Sequence, residues 1–315
     1  MMSKTMAGAI AAGLMSIGMG VSAQAADLKL MTGPQGGSWY PLGGAIKNIV
    51  EKNMPGTGVQ ILPGAGIANV LAIESGKADL GFANSVSTVD AINGKEPFEA
   101  KAKNVCNVAT LYPQYFQVVA NASAGIKSPG DVKGKALTTQ KKGNTGEAIT
   151  AHLLEAYGLS YKDLPRVSYG SYTDSVNQLK DGNADWFTLG TTVPAGAIMD
   201  LASARAITIV PVPDDGLAKM QKINPGYQRL MVPAGSYPGQ TAAVPTIGYS
   251  THIIARCDLE EDVVYGLVKN MLAGIPDLTS IANAMKGVDA KAMAMETGVP
   301  LHKGAAKFFK EQGAI

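Results

Sequence analysis

The stretch Glu74-Ser75-Gly76-Lys77-Ala78-Asp79-Leu80-Gly81-Phe82 returns about 106 residues later as Lys180-Asp181-Gly182-Asn183-Ala184-Asp185-Trp186-Phe187. In both, a helix-like run closes on glycine, Ala-Asp turns the chain, and an apolar strand follows. A single recurrence at this distance is too widely spaced for a solenoid and fits two similar α/β lobes. The flanks agree. Asp27–Met31 alternates as a strand, TGPQGGSWYP forms a Gly-rich loop, and Leu42, Ile46, Ile49 and Val50 then fall at helical spacing. Thr57–Leu62 reads as the next strand, PGAG as its turn, and Ile67 to Ser75 as the helix closed by Gly76. Before the second copy, GNTGEAITAHLLEAYG gives a loop and helix and PRVSYG a strand.

Between the copies, Val105–Leu111 and Tyr115–Ala120 are apolar and strand-like, and NASAGIKSPGDVKGK is polar and turn-rich, so a lobe boundary belongs there. The chain returns through a strand from Thr246 to Ala255 and ends in helices, the first being the amphipathic run Leu259 to Ala273. This divides the chain into residues 1–25, a first lobe of 26–119 plus 245–315, and a second lobe of 120–244. Hinges are expected near Gln117–Asn121 and Thr246–Thr251.

Composition bounds the function. The 315 residues are 46% hydrophobic and 17% charged, with 37 Gly and 17 Pro, a globular profile of two-domain length. With 27 Lys+Arg against 25 Asp+Glu and no basic stripe, nucleic acid is not an expected partner. Only Cys106 and Cys257 occur, which argues against a Cys-rich zinc site; the two either bridge or remain separate buried thiols. Residues 1–25 carry Lys4, the uncharged run MAGAIAAGLMSIGMGV and a terminal Ala23-Gln24-Ala25, the pattern of a cleaved export signal. The run is short and rich in Gly, Ala and Ser for a membrane anchor. The expectation is a periplasmic protein cleaved near Ala25.

Enzyme signatures are sparse. GAGIAN stops at Asn69 where a dinucleotide fingerprint needs its third glycine, and no P-loop or H-E-x-x-H occurs. Gly36-Gly37-Ser38-Trp39-Tyr40 lacks the closing glycine of a nucleophile elbow, leaving a serine hydrolase built on Ser38 as a minor alternative. His152, His252 and His302 are scattered without a carboxylate at ligand spacing. No catalysis, metal or cofactor is expected. Gly-rich strand-to-helix turns instead point to binding, because unpaired N–H groups at helix starts face the bound group.

At this point the chain resembles a family. The loop Thr32–Pro41 followed by LGGAI, ATLYP at Ala109–Pro113, LLEAYGL at Leu153–Leu159, VPAG at Val232–Gly235 and the ending GVPLHKGAAKFFKEQGAI are similar to the TAXI family of TRAP-transporter solute-binding proteins. The resemblance implies a two-lobed periplasmic-binding-protein-like fold of type II, with a central sheet flanked by helices in each lobe and hinge strands between. It also implies a small ligand, carboxylate or amino acid favoured, clamped by a monomer and delivered to a TRAP permease. An ABC-type receptor of similar fold is the main alternative.

Mapping the family's loops onto this chain gives Gln35, Gly36, Gly37, Ser38, Trp39 and Tyr40, then Gly66, Ile67 and Asn69, then Asn84 and Ser85. In the second lobe it gives Asn144, Thr145 and Gly146, with Thr188 and Thr191 as further candidates; Lys142 is a candidate on its charge alone, which the family pattern does not need. Trp39 stands where the family has Tyr, and Asn84-Ser85-Val86 lacks the family's carboxylate. For Trp39 the ligand-facing reading is favoured over the core. Lys142 either points into the cleft, where it would favour a ligand with two or more negative charges, or is half of a solvated Lys141–Lys142 pair.

Overall fold

The computed structural model describes residues 26–33 and 38–315. The proposed signal, residues 1–25, and the loop residues 34–37 lie outside it. The chain runs β1 (Ala26–Met31), α1 (Trp39–Asn53), β2 (Thr57–Leu62), α2 (Gly66–Glu74), β3 (Leu80–Asn84), α3 (Ser85–Asn93) and β4 (Val105–Asn121). It continues through β5 (Leu137–Thr139), α4 (Thr145–Ala156), β6 (Val167–Tyr169), α5 (Tyr172–Lys180), β7 (Trp186–Thr191), α6 (Gly196–Ala204) and β8 (Ile207–Val210). The remainder is α7 (Asp214–Ile223), β9 (Gln228–Val232), β10 (Val244–Arg256), α8 (Glu261–Ala273), α9 (Ile275–Ile281), α10 (Ala290–Met293) and α11 (Lys303–Glu311).

The repeated phrase has a physical cause. Gly76 and Gly182 both take left-handed φ, at 68° and 73°, where a side chain would be strained. The aspartate that follows then ties its strand to another of the same lobe. Asp79 accepts from the Lys29 N–H at 2.9 Å and its own N–H donates to Lys29 O. Asp185 does the same with Ala136, accepting at 2.7 Å. In the first lobe β1 pairs in parallel with β2 and β3; in the second β5 pairs in parallel with β6 and β7.

Two long antiparallel strands join the lobes. β10 pairs with β3 through residues 251–255 and with β9 through 244–248. β4 pairs with β10 over residues 105–116, then with β7 over 115–120 and β8 over 118–121. The two strand-like runs around Pro113 are thus one strand. Pro113, which has no N–H to give, sits beside the register shift at Ser250/His252. Residues 117–121, expected near a hinge, carry the β7 and β8 pairing of the second lobe.

Each sheet half is packed on its faces by apolar side chains. In the first lobe one core gathers Leu30, Trp39, Leu42, Phe82, Leu267 and Phe309. The opposite face holds Ile67, Val70, Ile73 and Ile254. The second lobe has two corresponding clusters, one around Phe116, Leu153 and Trp186 and one around Leu179, Phe187 and Ile198. Cys106 and Cys257 form a disulfide, resolving the alternative left by sequence; it fastens the start of β4 to the residue after β10. No helix of the described residues is long and apolar enough to cross a membrane.

Candidate functional site

Four helices begin at one cavity. α1, α2 and α3 start from the first lobe and α4 from the second, and none of their preceding residues, Ser38, Ala65, Asn84 and Asn144, caps its helix with a side chain. The cavity, of about 140 Å³, is lined by these residues and by Gly66, Thr145 and Gly146 at the helix starts, closed by Trp39, Tyr172 and Tyr249. Gln114 of β4 and Tyr249 of β10 put the joining strands into its wall. Among the described residues no lysine, arginine, histidine or carboxylate lines it. The local field therefore comes from helix N-termini, each carrying roughly half a positive charge.

The walls are close-fitting. A Cβ on Gly66 would lie 2.3 Å from Thr145 Oγ1 of the other lobe, and a Cβ on Gly190 would lie 1.9 Å from Tyr249 Oη. The absence of a side chain at Gly66 lets the lobes approach, and at Gly190 it makes room for the Tyr249 hydroxyl. Tyr172 Oη donates to Gly190 O at 3.0 Å and accepts from Gly190 N–H at 3.2 Å. Burial pushes Tyr172 up to about 12 and Tyr249 well above its ordinary value, so both phenols stay neutral. Gln140 Oε1 accepts from Gly146 N–H at 3.1 Å, which removes one of the α4 donors from those open to a ligand.

Trp39 is both wall and core. Its ring stacks on Phe82 at 5.5 Å and is 9% exposed. Its indole Nε1 has no hydrogen bond of good geometry, although it lies near enough to the Tyr112 hydroxyl to lower that group, whose burial raises it overall. Asn84 Oδ1 is likewise buried without a partner. These are a buried donor and a buried acceptor, without hydrogen-bond partners, on residues that line the cavity.

Of the sequence candidates, the structure brings Ser38, Trp39, Gly66, Asn84, Asn144, Thr145, Gly146 and Thr191 together around the cavity. Gln35, Gly36 and Gly37 lie outside the described residues. Asn69 faces inward to its own lobe: its Nδ2 donates to Thr32 O and Phe82 O and its Oδ1 accepts from Ala65 N–H, bracing the first two turns. Ile67 is in the core, Ser85 Oγ accepts from Ser250 N–H, and Thr188 belongs to a buried hydroxyl triad with Thr139 and Thr150. Tyr40 is on the exposed side of α1. Lys142 is not in the cleft wall; its ammonium lies 5.9 Å from the centre of the Tyr169 ring and borders an outer groove.

Sequence reading missed Gln114, Gln140, Tyr172, Gly190 and Tyr249. Polar residues inside the apolar joining strands were the available signal for Gln114. The histidines lie elsewhere. Burial depresses all three, His252 to about 3 and His152 to about 4, and His252 is held between Thr88 and Asn107. Ser38 Oγ lies 3.4 Å from Tyr112 Oη and has no histidine on the cavity beside it, so the hydrolase alternative has no visible base.

Residues 30–313 match the NMT1-like family. The chain belongs to the NMT1-like family. This overturns the assignment to the TAXI family drawn from the loop phrases, and the TRAP permease expected on that ground goes with it. Among solved structures this NMT1-like chain is similar to PhnD1 from Prochlorococcus marinus in complex with methylphosphonate, at 13% identity and a TM-score of 0.54, covering 93% of this chain and 100% of that one. XAC2383 from Xanthomonas citri bound to ATP is 14% identical, with a TM-score of 0.53 over 92% and 96% of the two chains. A Listeria monocytogenes protein described as an L-cystine ABC transporter is 16% identical, with a TM-score of 0.50 over 84% and 97%. At these identities the likeness shows the fold, which is the two-lobed periplasmic-binding-protein-like architecture.

Proposed function

We propose that the protein is a periplasmic receptor, cleaved near Ala25, that clamps a small anionic solute between its lobes and passes it to a membrane permease. The observation that carries this is the convergence of four helix starts without side-chain caps on a cavity whose described lining has no charged side chain. Backbone N–H groups hold an anion without a counter-cation, each charge-assisted hydrogen bond contributing about 1.5–3 kcal/mol. Micromolar affinity corresponds to about −8 kcal/mol, within reach of several such bonds after ordering costs. The cavity, at about 140 Å³, is smaller than the roughly 300–1,000 Å³ of drug-sized sites, so a small carboxylate, phosphonate or sulfonate suits it.

The lobes in this reading are residues 26–119 plus 245–315 and residues 120–244, moving about β4 and β10. The permease partner is of the ABC type, the class named for the Listeria neighbour. Uptake that survives an uncoupler but stops when ATP is depleted supports that partner; uptake that follows the ion gradient overturns it. The binding reading is tested by thermal shift against acetate, methylphosphonate, methanesulfonate, sulfate, glutamate and neutral glucose. Stabilisation by at least one anion and not by glucose is expected. A panel in which only neutral solutes stabilise would overturn it.

A further inference from the structure

Helix α3 follows β3 in the first lobe, where Thr88 meets His252 and Ser85 meets Ser250, yet it also bonds to the second lobe. Ser87 Oγ lies 2.9 Å from Thr145 Oγ1, and Asn224 Nδ2 donates to Val86 O at 2.8 Å. Lys95, just past the helix, donates to Ile223 O. The Val86 side chain packs in the second lobe's core with Phe116, Tyr227 and Tyr249. One turn beyond Val86 is Asp90, a carboxylate only 5% exposed whose Oδ1 has no hydrogen-bond partner. Asp90 enters none of the ion pairs among the described residues. Around it stand Lys95 from its own segment and Asn224 and Tyr227 from the second lobe. Beyond Tyr227 lie Tyr249, Glu155 and His152, whose Nδ1 is 2.7 Å from Tyr227 Oη.

We propose that α3 is a proton-linked latch: closing the lobes buries Asp90 against Asn224 and Tyr227 and favours its neutral form, so acid favours the closed arrangement. This rests on the lobes moving as a clamp. A buried carboxylate without a cation costs more in its charged form, whereas an open cleft returns it to water. Burial raises Asp90 from 3.8 to about 6, against the smaller opposing pull of the Asn224 amide and the Lys95 ammonium. The sign follows directly. A group whose value is higher when closed stabilises closure at low pH, and that advantage fades as pH rises through about 6. With an ordinary carboxylate in the open form, the closed-to-open ratio rises about tenfold from pH 7 to pH 5. His152, depressed by burial and by Lys95, has the opposite sign wherever opening exposes it, so it must be neutralised to isolate Asp90.

Small-angle scattering of the full protein without added solute tests this in His152→Gln and in His152→Gln combined with Asp90→Asn, with folding checked by circular dichroism. The expected result is a radius of gyration that falls from pH 8 to pH 5 in the first and stays at the compact value throughout in the second. Asn224→Ala, which removes the bond to Val86 O, should leave the particle expanded at pH 5. A radius that ignores pH in His152→Gln, or an Asp90→Asn protein that follows the same pH curve, overturns the latch. Because no solute is added, failure of the anion panel leaves this outcome independent.

Discussion

The central cavity and the outer groove beside it lie between the same two lobes but are built oppositely. The cavity is lined by small, amide, hydroxyl and aromatic groups around four helix starts. The groove carries Lys95, Glu96, Lys142, Glu147, His152, Glu155 and Lys222. Charges of both signs in an open groove are hydrated, screened over about 8–10 Å, and select weakly. Fixed backbone dipoles in a closed space need no reorganisation and act at short range. The comparison assigns affinity to the cavity and leaves the groove as surface that closes with the lobes.

The largest loss of affinity expected without loss of stability strikes the cavity alone. Gly66→Val would place side-chain carbons where Thr145 Oγ1 of the opposite lobe now sits, wedging the lobes apart. Binding of the best anion should fall more than about 100-fold, roughly 2.7 kcal/mol, with the circular dichroism spectrum unchanged; isothermal titration calorimetry reads it. Trp39→Ala comes next and acts on two properties, because the ring is wall and core together. Unfolding stability should drop by about 3–5 kcal/mol, the range for large aromatic truncations, with binding lost as well. Trp39→Phe keeps the stack on Phe82 and removes only the indole N–H, so a loss of about tenfold or less in affinity with near-normal denaturant unfolding is expected.

The smaller effects belong to the groove. His152 is half-buried against Tyr227, and desolvation and the Lys95 charge lower it from 6.5 to about 4. Its contribution to stability is present above pH 6.5 and is lost as pH falls toward 4, by about 1–2 kcal/mol at pH 5. Urea unfolding at pH 7 and 5 should show this in Asp90→Asn, where the opposing carboxylate is gone, and show less of it in Asp90→Asn combined with His152→Gln. Smallest is Lys142→Gln. With its ammonium over Tyr169 and outside the cavity, the substitution should change affinity less than about twofold at low and high salt. A tenfold loss at low salt would move the charge back into the cleft.

Much of the fold was legible because its signals are local. The glycine turn and the Ala-Asp that follows it recur since each aspartate ties strands within its own lobe, at Lys29 and at Ala136. Likewise the helix starts near Trp39, Gly66 and Thr145 follow from Gly-rich loops after strands. What was not legible depends on elements far apart in the chain. Gln114 and Tyr249 become wall residues only because β4 and β10 cross together beneath the cleft, and Lys142 leaves it because Tyr169, on β6, lies under its ammonium. Asn69 shows the same limit inside one lobe. Its place after a Gly-rich turn suggested a ligand contact, but its side-chain hydrogen bonds go to backbone groups of two loops, at Thr32 and Ala65, and of β3, at Phe82.

The most direct measurement of the central claim is an amide nitrogen–proton NMR titration with whichever anion of the panel stabilises the protein most. The account predicts that the largest shifts fall on the backbone N–H groups of Trp39, Gly66, Ser85 and Thr145, with Lys95, Lys142 and Lys222 little moved. Shifts concentrated on the lysines of the outer groove, with those four amides unchanged, would contradict it.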